Sequence, residues 1–588
     1  MALLARLRAV IAATLMATLA ACGGGGGGST PPTSNTPTPT PTSTSSSNPQ
    51  AFDCPTSDTS FDSTGASAGG SAGISSETRR PVRKGGALAS SSLLAVSYRS
   101  SLITNPQTAI DGRVASLGAT RYSEFDYPKL GLATRLLHVT PSTMTQVEST
   151  LRSTPGVVTV SPTQRLSALS VSGPYLGNDP YFVGYTAGGA VAPLYQLATT
   201  GGQWDMHIVG LDHAFDYSQS GNGSGITNAN ALGSTGVKLA IIDTGEDVTH
   251  PELAKASIAR KECFITNEAG TAQSTGTFVT DPQGHGTDTT GIAVASPLNA
   301  YGFVGDGGHV SLMLYRVFPT PDDNCTSDTS TDPQCGAADT DIASAIDDAV
   351  ANGANVISMS LGGNACSSPG VDSDPVEGNA VANAISHNVI VVAASGNAGG
   401  SGVSAPACDS GVIAAGATGY YDGQANGSGY TGANSGVNGD TEYVTSYTQY
   451  GSTNTPNSTA SWGIVAPGGD PSNADTSSTT TDYLHWVENI WTSTPFDSNF
   501  AGTCTASADF GESGNCRTLI AGTSMATPHI AGAAALVLSV NSAYQSPSKM
   551  FQLLCGTADN IGDPHQGCGR LNVYRAMATA LNDPSPPT

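Results

Sequence analysis

From residue 236 onward, runs of consecutive apolar residues alternate with stretches of helical period. Val237-Lys238-Leu239-Ala240-Ile241-Ile242 is an apolar run that ends on Asp243. Residues 339–352 carry Ile342, Ile346 and Val350 on one helical face and stop at Gly353. Val356-Ile357-Ser358-Met359-Ser360 is a buried-type strand, residues 376–387 read as a helix, and Val389-Ile390-Val391-Val392-Ala393-Ala394 is another strand. An apolar helical run, Ile530 to Val540, follows much later. Near-continuous apolar strands separated by helices predict a mostly parallel sheet covered on both faces, the α/β doubly wound class. In that class sites form at the carboxyl ends of the strands.

The chain upstream has a different pattern. Leu93-Leu94-Ala95-Val96, Leu136-Leu137-His138-Val139 and Val157-Val158-Thr159-Val160 read as strands. Residues 141–153 between them read as a helix with Ser142 near its N-cap. Residues 86–170 are therefore expected to form a small α+β unit. Residues 23–50 are a Gly run followed by Pro/Thr/Ser repeats, and loose low complexity continues to about residue 85. Such a tract buries no core and serves as a tether. Residues 1–22 read as a targeting segment, with Arg6 and Arg8 before a short apolar stretch. That stretch is too short to span a bilayer as a helix. It ends in Leu19-Ala20-Ala21-Cys22, which resembles a bacterial lipobox, so Cys22 is expected to be lipidated. The expected location is outside the cytoplasm, as an outer-membrane or cell-surface lipoprotein, with Cys22 as its one attachment to a membrane.

Charge sharpens this division. Residues 1–177 hold 13 Lys/Arg and 8 Asp/Glu, a net of +5, while residues 178–588 hold 9 and 38, a net of -29. The acidic body repels nucleic acid and anionic lipid. The basic segment is electrostatically suited to dock on the acidic one. Ten cysteines follow Cys22, and an exported protein is expected to oxidise them. Close spacing suggests Cys325–Cys335, Cys504–Cys516 and Cys555–Cys568, and Cys366–Cys408 would join two loops near the site. No cysteine spacing reads as a zinc site.

Four loops carry candidate chemistry. Asp243 ends a buried strand, placed to orient a histidine and support its cation. His285 lies in Gly284-His285-Gly286-Thr287, where flanking glycines allow close backbone approach. Ser524 lies in Gly522-Thr523-Ser524-Met525-Ala526-Thr527-Pro528-His529, just before the apolar helix. A serine there faces free backbone N–H groups and the positive end of a helix dipole. It needs a base to become a nucleophile, and His285 supplies one. Asn397 follows a strand in Ala394-Ser395-Gly396-Asn397, where its amide can donate to an oxyanion. Each residue alone is an ordinary strand end, loop histidine, helix cap or turn. Together they make a nucleophile, a base, an orienting carboxylate and an oxyanion donor.

Ile242-Asp243-Thr244-Gly245, Gly284-His285-Gly286-Thr287 and Gly522-Thr523-Ser524-Met525-Ala526 resemble the three signature blocks of the subtilisin-like peptidases. The chain order Asp, His, Ser matches that family as well. The resemblance covers roughly residues 178–580 and implies a serine endopeptidase acting on polypeptides with an Asp243, His285, Ser524 triad. It further implies that Asn397 is the oxyanion asparagine. Ser360-Leu361-Gly362-Gly363 resembles the family's substrate-binding edge, and Ala394, Ser395 and Gly396 would line the adjoining pocket wall. Residues 86–170 resemble the family's inhibitory propeptide. Cleavage is then expected between about Arg165 and Asn178, where Asn178-Asp179-Pro180-Tyr181-Phe182 and Gln203-Trp204 resemble a mature N-terminus. On that scheme the Cys22 tether would leave with the propeptide and free the enzyme. Catalysis needs no cofactor in this family, and structural Ca²⁺ is a family expectation with no ligand set assigned. Insertions at about 421–460, 470–515 and around Cys325–Cys335 depart from the compact family pattern. A sedolisin-type peptidase would carry Glu in place of His285, and a lipid-tethered adhesin would not require an intact triad.

Overall fold

The structure is a computed structural model. It describes residues 54–55, 88–168, 171–172, 203–218, 226–253, 256–297, 302–320, 336–363, 366, 374–421, 441–451, 462–470, 486–492 and 517–583. Cys22, the low-complexity tether, Asn178–Phe182 and the pairs Cys325–Cys335 and Cys504–Cys516 lie outside the described residues.

The upstream unit is α+β, as the pattern predicts. Its strands are β1 (Leu88–Arg99), β2 (Thr120–Tyr127), β3 (Leu132–His138) and β4 (Val157–Ala168), with helix α1 (Met144–Arg152) between β3 and β4. They form an antiparallel sheet in the order β4-β1-β3-β2. Leu94, Val96, Leu137, Val147, Leu151 and Val160 fill its own core. The helix starts one residue later than Ser142 suggests, with Thr143 as its N-cap. Pro141, with its fixed φ, instead makes a turn in which the Thr143 N–H donates to the Thr140 carbonyl at 3.0 Å. A two-residue strand, β5 (Val171–Ser172), comes next.

The body opens with a short helix, α2 (Trp204–Ile208), and then builds its sheet. Strands β6 (Lys238–Asp243), β7 (Ile258–Thr266) and β9 (Ser311–Arg316) run parallel on one side, and β8 (Gln273–Gly276) closes a hairpin with β7. Helix α3 (His285–Val294) separates β8 from β9. A short β10 (Ala337–Ala338) precedes α4 (Asp339–Ala351), which is followed by β11 (Val356–Met359) and β12 (Leu361–Gly362). Helix α5 (Pro375–Ser386) leads to β13 (Ile390–Ala394). Short strands β14 (Gly400–Ser401) and β17 (Gln449–Tyr450) pair with each other. Between them lie β15 (Ile413–Tyr421) and β16 (Thr441–Val444), and beyond them come β18 (Ile464–Pro467), β19 (Val487–Ile490) and β20 (Arg517–Ala521). The long buried helix α6 (Thr523–Val540) follows β20.

The parallel strands run in the order β7-β9-β6-β11-β13-β15-β18. Chain order reverses across β6 and β11, which is the switch point at which doubly wound sheets bind ligands. The apolar strands predicted from sequence are thus the centre of the sheet. Where the expectation differs is at strand ends. β1 and β4 are longer than their apolar runs because partners outside the run extend the ladder.

The small unit lies on α4 and α5. Ala95, Tyr127 and Leu136 share a core with Ile342, Ile346, Val376 and Ala380. Asn379 Nδ2 donates to Ser97 Oγ at 2.6 Å and to Thr134 Oγ1 at 2.8 Å. Two of the small unit's described arginines pair within that unit. Arg135 pairs with Asp111 and Glu124, and Arg152 with Glu148, all within the small unit. Arg135 is buried, so its charge requires partners at hydrogen-bond distance, and its own sheet supplies them.

Candidate active site

Asp243 is the last residue of β6, at the carboxyl end of the sheet. His285 is the first residue of α3. His285 Nδ1 lies 2.6 Å from Asp243 Oδ1, and the two residues are 4% and 1% exposed. The Thr244 N–H donates to Asp243 Oδ1 at 2.7 Å and Thr289 Oγ1 donates to Oδ2 at 3.2 Å. With Nδ1 held by the carboxylate, Nε2 is the nitrogen free for proton transfer. It is buried and has no hydrogen-bond partner among the described residues.

The approach of these two segments depends on glycine. A Cβ on Gly286 would sit 2.1 Å from the Gly245 carbonyl oxygen. The Gly286 N–H donates to Thr244 Oγ1 at 2.8 Å, and Thr244 Oγ1 donates to Asp281 Oδ1 at 2.9 Å. Asp281 also accepts from the N–H groups of Gln283, Gly284 and Thr287, so it caps the start of α3 and fixes the histidine's backbone. The sequence reading passed over Asp281. Its signal was present as an acidic residue shortly before a helix start. Beside it, burial pushes the Glu246 carboxyl well above its ordinary range; the Thr290 hydroxyl pulls the other way, and Asp281, Asp247 and Asp243 add to the rise.

Ser524 is the second residue of α6 and is fully buried. Its Oγ donates to the Ser360 carbonyl oxygen at 3.1 Å, and Ser360 Oγ donates back to the Ser524 carbonyl oxygen at 2.7 Å. The nucleophile candidate is therefore seated against the residue that precedes β12. It is not hydrogen-bonded to His285 Nε2, and hydrogen bonds of this kind commonly tighten only with substrate. Asn397 Oδ1 accepts from the Thr523 N–H at 3.0 Å and from Thr523 Oγ1 at 2.8 Å. That fixes the amide's orientation and leaves Nδ2 as the donor next to the start of α6. Gly396 reaches this position with φ +112°, in the region that favours glycine.

The edge residues fall around the same point. Ala394 ends β13, and Ser395 is tied by its N–H to the Ala415 carbonyl at 2.9 Å. Leu361 and Gly362 pair antiparallel with Ala168 and Ser167 of β4, while Gly363 turns away, its N–H donating to the Ala405 carbonyl. On the other side of β4, Ala337 and Ala338 of β10 pair with Leu166 and Arg165. The end of β4 is thus the middle strand between β10 and β12. Past Ser524, β5 pairs with β20, Val171 opposite Ala521 and Ser172 opposite Ile520. Part of the 470–515 insertion, β19, is the outer strand of that ladder.

A second histidine is buried in α6. His529 Nδ1 lies 2.6 Å from Asp306 Oδ2, and Nε2 lies 3.4 Å from Asp205 Oδ2 on α2. Burial alone would lower its pKa, but the two carboxylates raise it to about 9. Burial pushes the Asp306 carboxyl up to about 6, with His529 opposing the rise. His529 stands in the quoted serine motif, yet sequence gave no sign of its two partners.

The structure forms Cys555–Cys568, as close spacing suggests, Cys366–Cys408, as expected of a bridge between two loops near the site, and also Cys54–Cys263, which was not expected. Among the described residues no group of three or more His, Cys, Asp or Glu side chains could hold a metal ion. The calcium expectation therefore acquires no ligand set here, and no step below uses a metal.

The subtilase family model matches residues 234–570. The thermophilic serine proteinase of Bacillus sp. (strain AK1) is 30% identical over 348 residues, 59% of this chain and 62% of that protein. Thermitase of Thermoactinomyces vulgaris is 29% identical over 345 residues, 58% of this chain and 89% of thermitase. Subtilisin BL of Lederbergia lenta is 30% identical over 346 residues, 59% of this chain and 92% of that enzyme. The chain thus spans less than two thirds of the first of these and most of the other two. In fold it is similar to fervidolysin of Fervidobacterium pennivorans, with TM-score 0.54 and 18% identity over 85% of this chain and 62% of that one. It is also similar to the epidermin leader peptide processing serine protease of Staphylococcus aureus, with TM-score 0.52 and 18% identity over 84% of this chain and 99% of that one.

Proposed function

This chain belongs to the subtilase family of serine-type endopeptidases, and on that premise we propose that it hydrolyses peptide bonds through Ser524, His285 and Asp243 and cuts its own chain after β4. Ser524 Oγ attacks a peptide carbonyl while His285 Nε2 takes its proton. Asp243 holds the imidazole by Nδ1 and stabilises its cation. The Ser524 N–H, at a helix start where no intrahelical acceptor exists, and Asn397 Nδ2 receive the oxyanion. His285 then protonates the leaving amine, and water hydrolyses the acyl-enzyme. The observation that carries this reading is the 2.6 Å contact of His285 Nδ1 with Asp243, which leaves Nε2 unpartnered.

Substrates bind as extended backbone between β10 and β12, by strand addition. Residues 86–170 act as a propeptide whose last strand fills that groove. We assign the scissile bond to Leu169–Ser170, and two registers support it. Leu361 pairs with Ala168, the last described residue of β4, and directly follows Ser360, whose carbonyl accepts from Ser524 Oγ. From the other side, Ala521 pairs with Val171 three residues before Ser524. Export follows the habit of the family, and the Cys22 lipid anchor belongs to this proposal.

The test is N-terminal and intact-mass analysis of wild type beside Ser524→Ala. Wild type should yield a chain beginning at Ser170, and the variant should remain uncut. Peptide hydrolysis or self-cleavage by Ser524→Ala would overturn the assignment.

A further inference from the structure

Cys54 lies upstream of the small unit, and Cys263 lies in β7 of the body. The bridge between them spans 209 residues of sequence and straddles the bond at which self-cleavage is proposed. From this we infer that cleavage converts the protein into two chains that stay covalently joined through Cys54–Cys263, so that the upstream chain and its Cys22 anchor are retained on the peptidase body. The inference rests on the self-processing reading above.

The bridge is seated in the β7–β8 hairpin. Cys263 is fully buried and packs with Ile265, with Cys54 against them. The Cys54 N–H donates to Ser274 Oγ at 3.1 Å. At Gly276, opposite Cys263 in the hairpin, an added Cβ would lie 3.3 Å from Cys54 Cβ. The segment at Cys54 is thus held by the body's hairpin, while the small unit packs separately on α4 and α5. Hydrolysis of Leu169–Ser170 consumes one water, leaving a carboxylate on Leu169 and an ammonium on Ser170. It touches no sulfur, so the disulfide survives without any redox partner.

Two consequences follow. The cut propeptide remains joined to the body, so its return to the groove that β4 occupies is intramolecular. Cleavage at Leu169–Ser170 alone therefore neither frees the enzyme from its inhibitor nor releases it from the membrane. A second cut between Pro55 and the start of β1 would discard the small unit and still leave Cys22 attached to the body. This replaces the expectation that the tether departs with the propeptide.

The full-length exported protein, purified without thiol reductant, provides the test. Denatured wild type should give one species heavier than the precursor by one water. Adding dithiothreitol should split it into two chains, the second beginning at Ser170. Cys54→Ser should give the same two chains already separate without reductant. Wild-type chains that separate without reductant would overturn the inference. A chain that stays single after reduction would instead overturn self-processing, and with it the two-chain form. A non-reducing peptide map of Ser524→Ala keeps the two failures distinct. Cys54 cross-linked to Cys263 in that uncut chain supports the bridge, and Cys54 found free or joined elsewhere refutes it.

Discussion

His285 and His529 are both buried, both paired with aspartate, and differ in one respect. His285 has a carboxylate on one nitrogen and, among the described residues, no hydrogen-bond partner on the other, whereas His529 has carboxylates near both. The first arrangement leaves a lone nitrogen that can accept and return a proton. The second makes a fixed cation that ties α6 to α2 and to the loop at Asp306. Identical side chains at similar depth are thus suited to different tasks, the proposed proton transfer in one place and cohesion in the other. What separates them, among the described residues, is whether a second carboxylate stands within ion-pair distance of the other nitrogen.

That contrast can be broken by exchanging the losses. His285→Ala should lower kcat/KM on a peptide substrate by on the order of 10⁴-fold or more, with little change in thermal unfolding. His529→Ala should do the reverse. Removing one partner of a buried ion pair leaves uncompensated carboxylates and costs about 3–5 kcal/mol. Calorimetry should show that loss, while kcat per folded molecule stays near wild type. If His529→Ala abolishes turnover in a folded protein, the division between the two histidines fails.

Asn397→Ala sharpens the catalytic side. It removes one oxyanion donor and should cost about 10²–10³ in kcat with KM little changed. An equal rise in KM would mean that the amide binds ground-state substrate instead.

The pH dependence supplies the smallest effect and the clearest sign. The folded pKa of His529 is raised to about 9, above roughly 6.5 for a free histidine. The stability it contributes is complete below the unfolded value and is lost as pH rises through about 9. Wild type should therefore lose stability between pH 7 and 10 more steeply than His529→Gln, as measured by denaturant midpoints. Parallel slopes would place the stabilising charge elsewhere.

The sequence was most legible where function forces local backbone geometry. Asp243, His285, Ser524 and Asn397 sit at strand ends and helix starts, flanked by glycines that close approach requires, so short motifs announced them. Cys555–Cys568, 13 residues apart, was readable for the same reason of proximity. Asp281 was half legible: its position before α3 was visible, but its service to Thr244 was not.

Alternating apolar runs and helical periods determined that a parallel sheet would form, and motif residues pointed to the strand ends to which the chemistry is assigned in the proposal. The tertiary structure alone decided three other things. It set β4 between β10 and β12, because an apolar strand specifies that it needs partners without specifying which. It joined Cys54 to Cys263 across 209 residues, because that contact exists only once the segment at Cys54 has packed against the β7–β8 hairpin. It set carboxylates near both nitrogens of His529 and, among the described residues, near only one of His285, because the protonation of a buried imidazole follows from the carboxylates that distant segments bring to it.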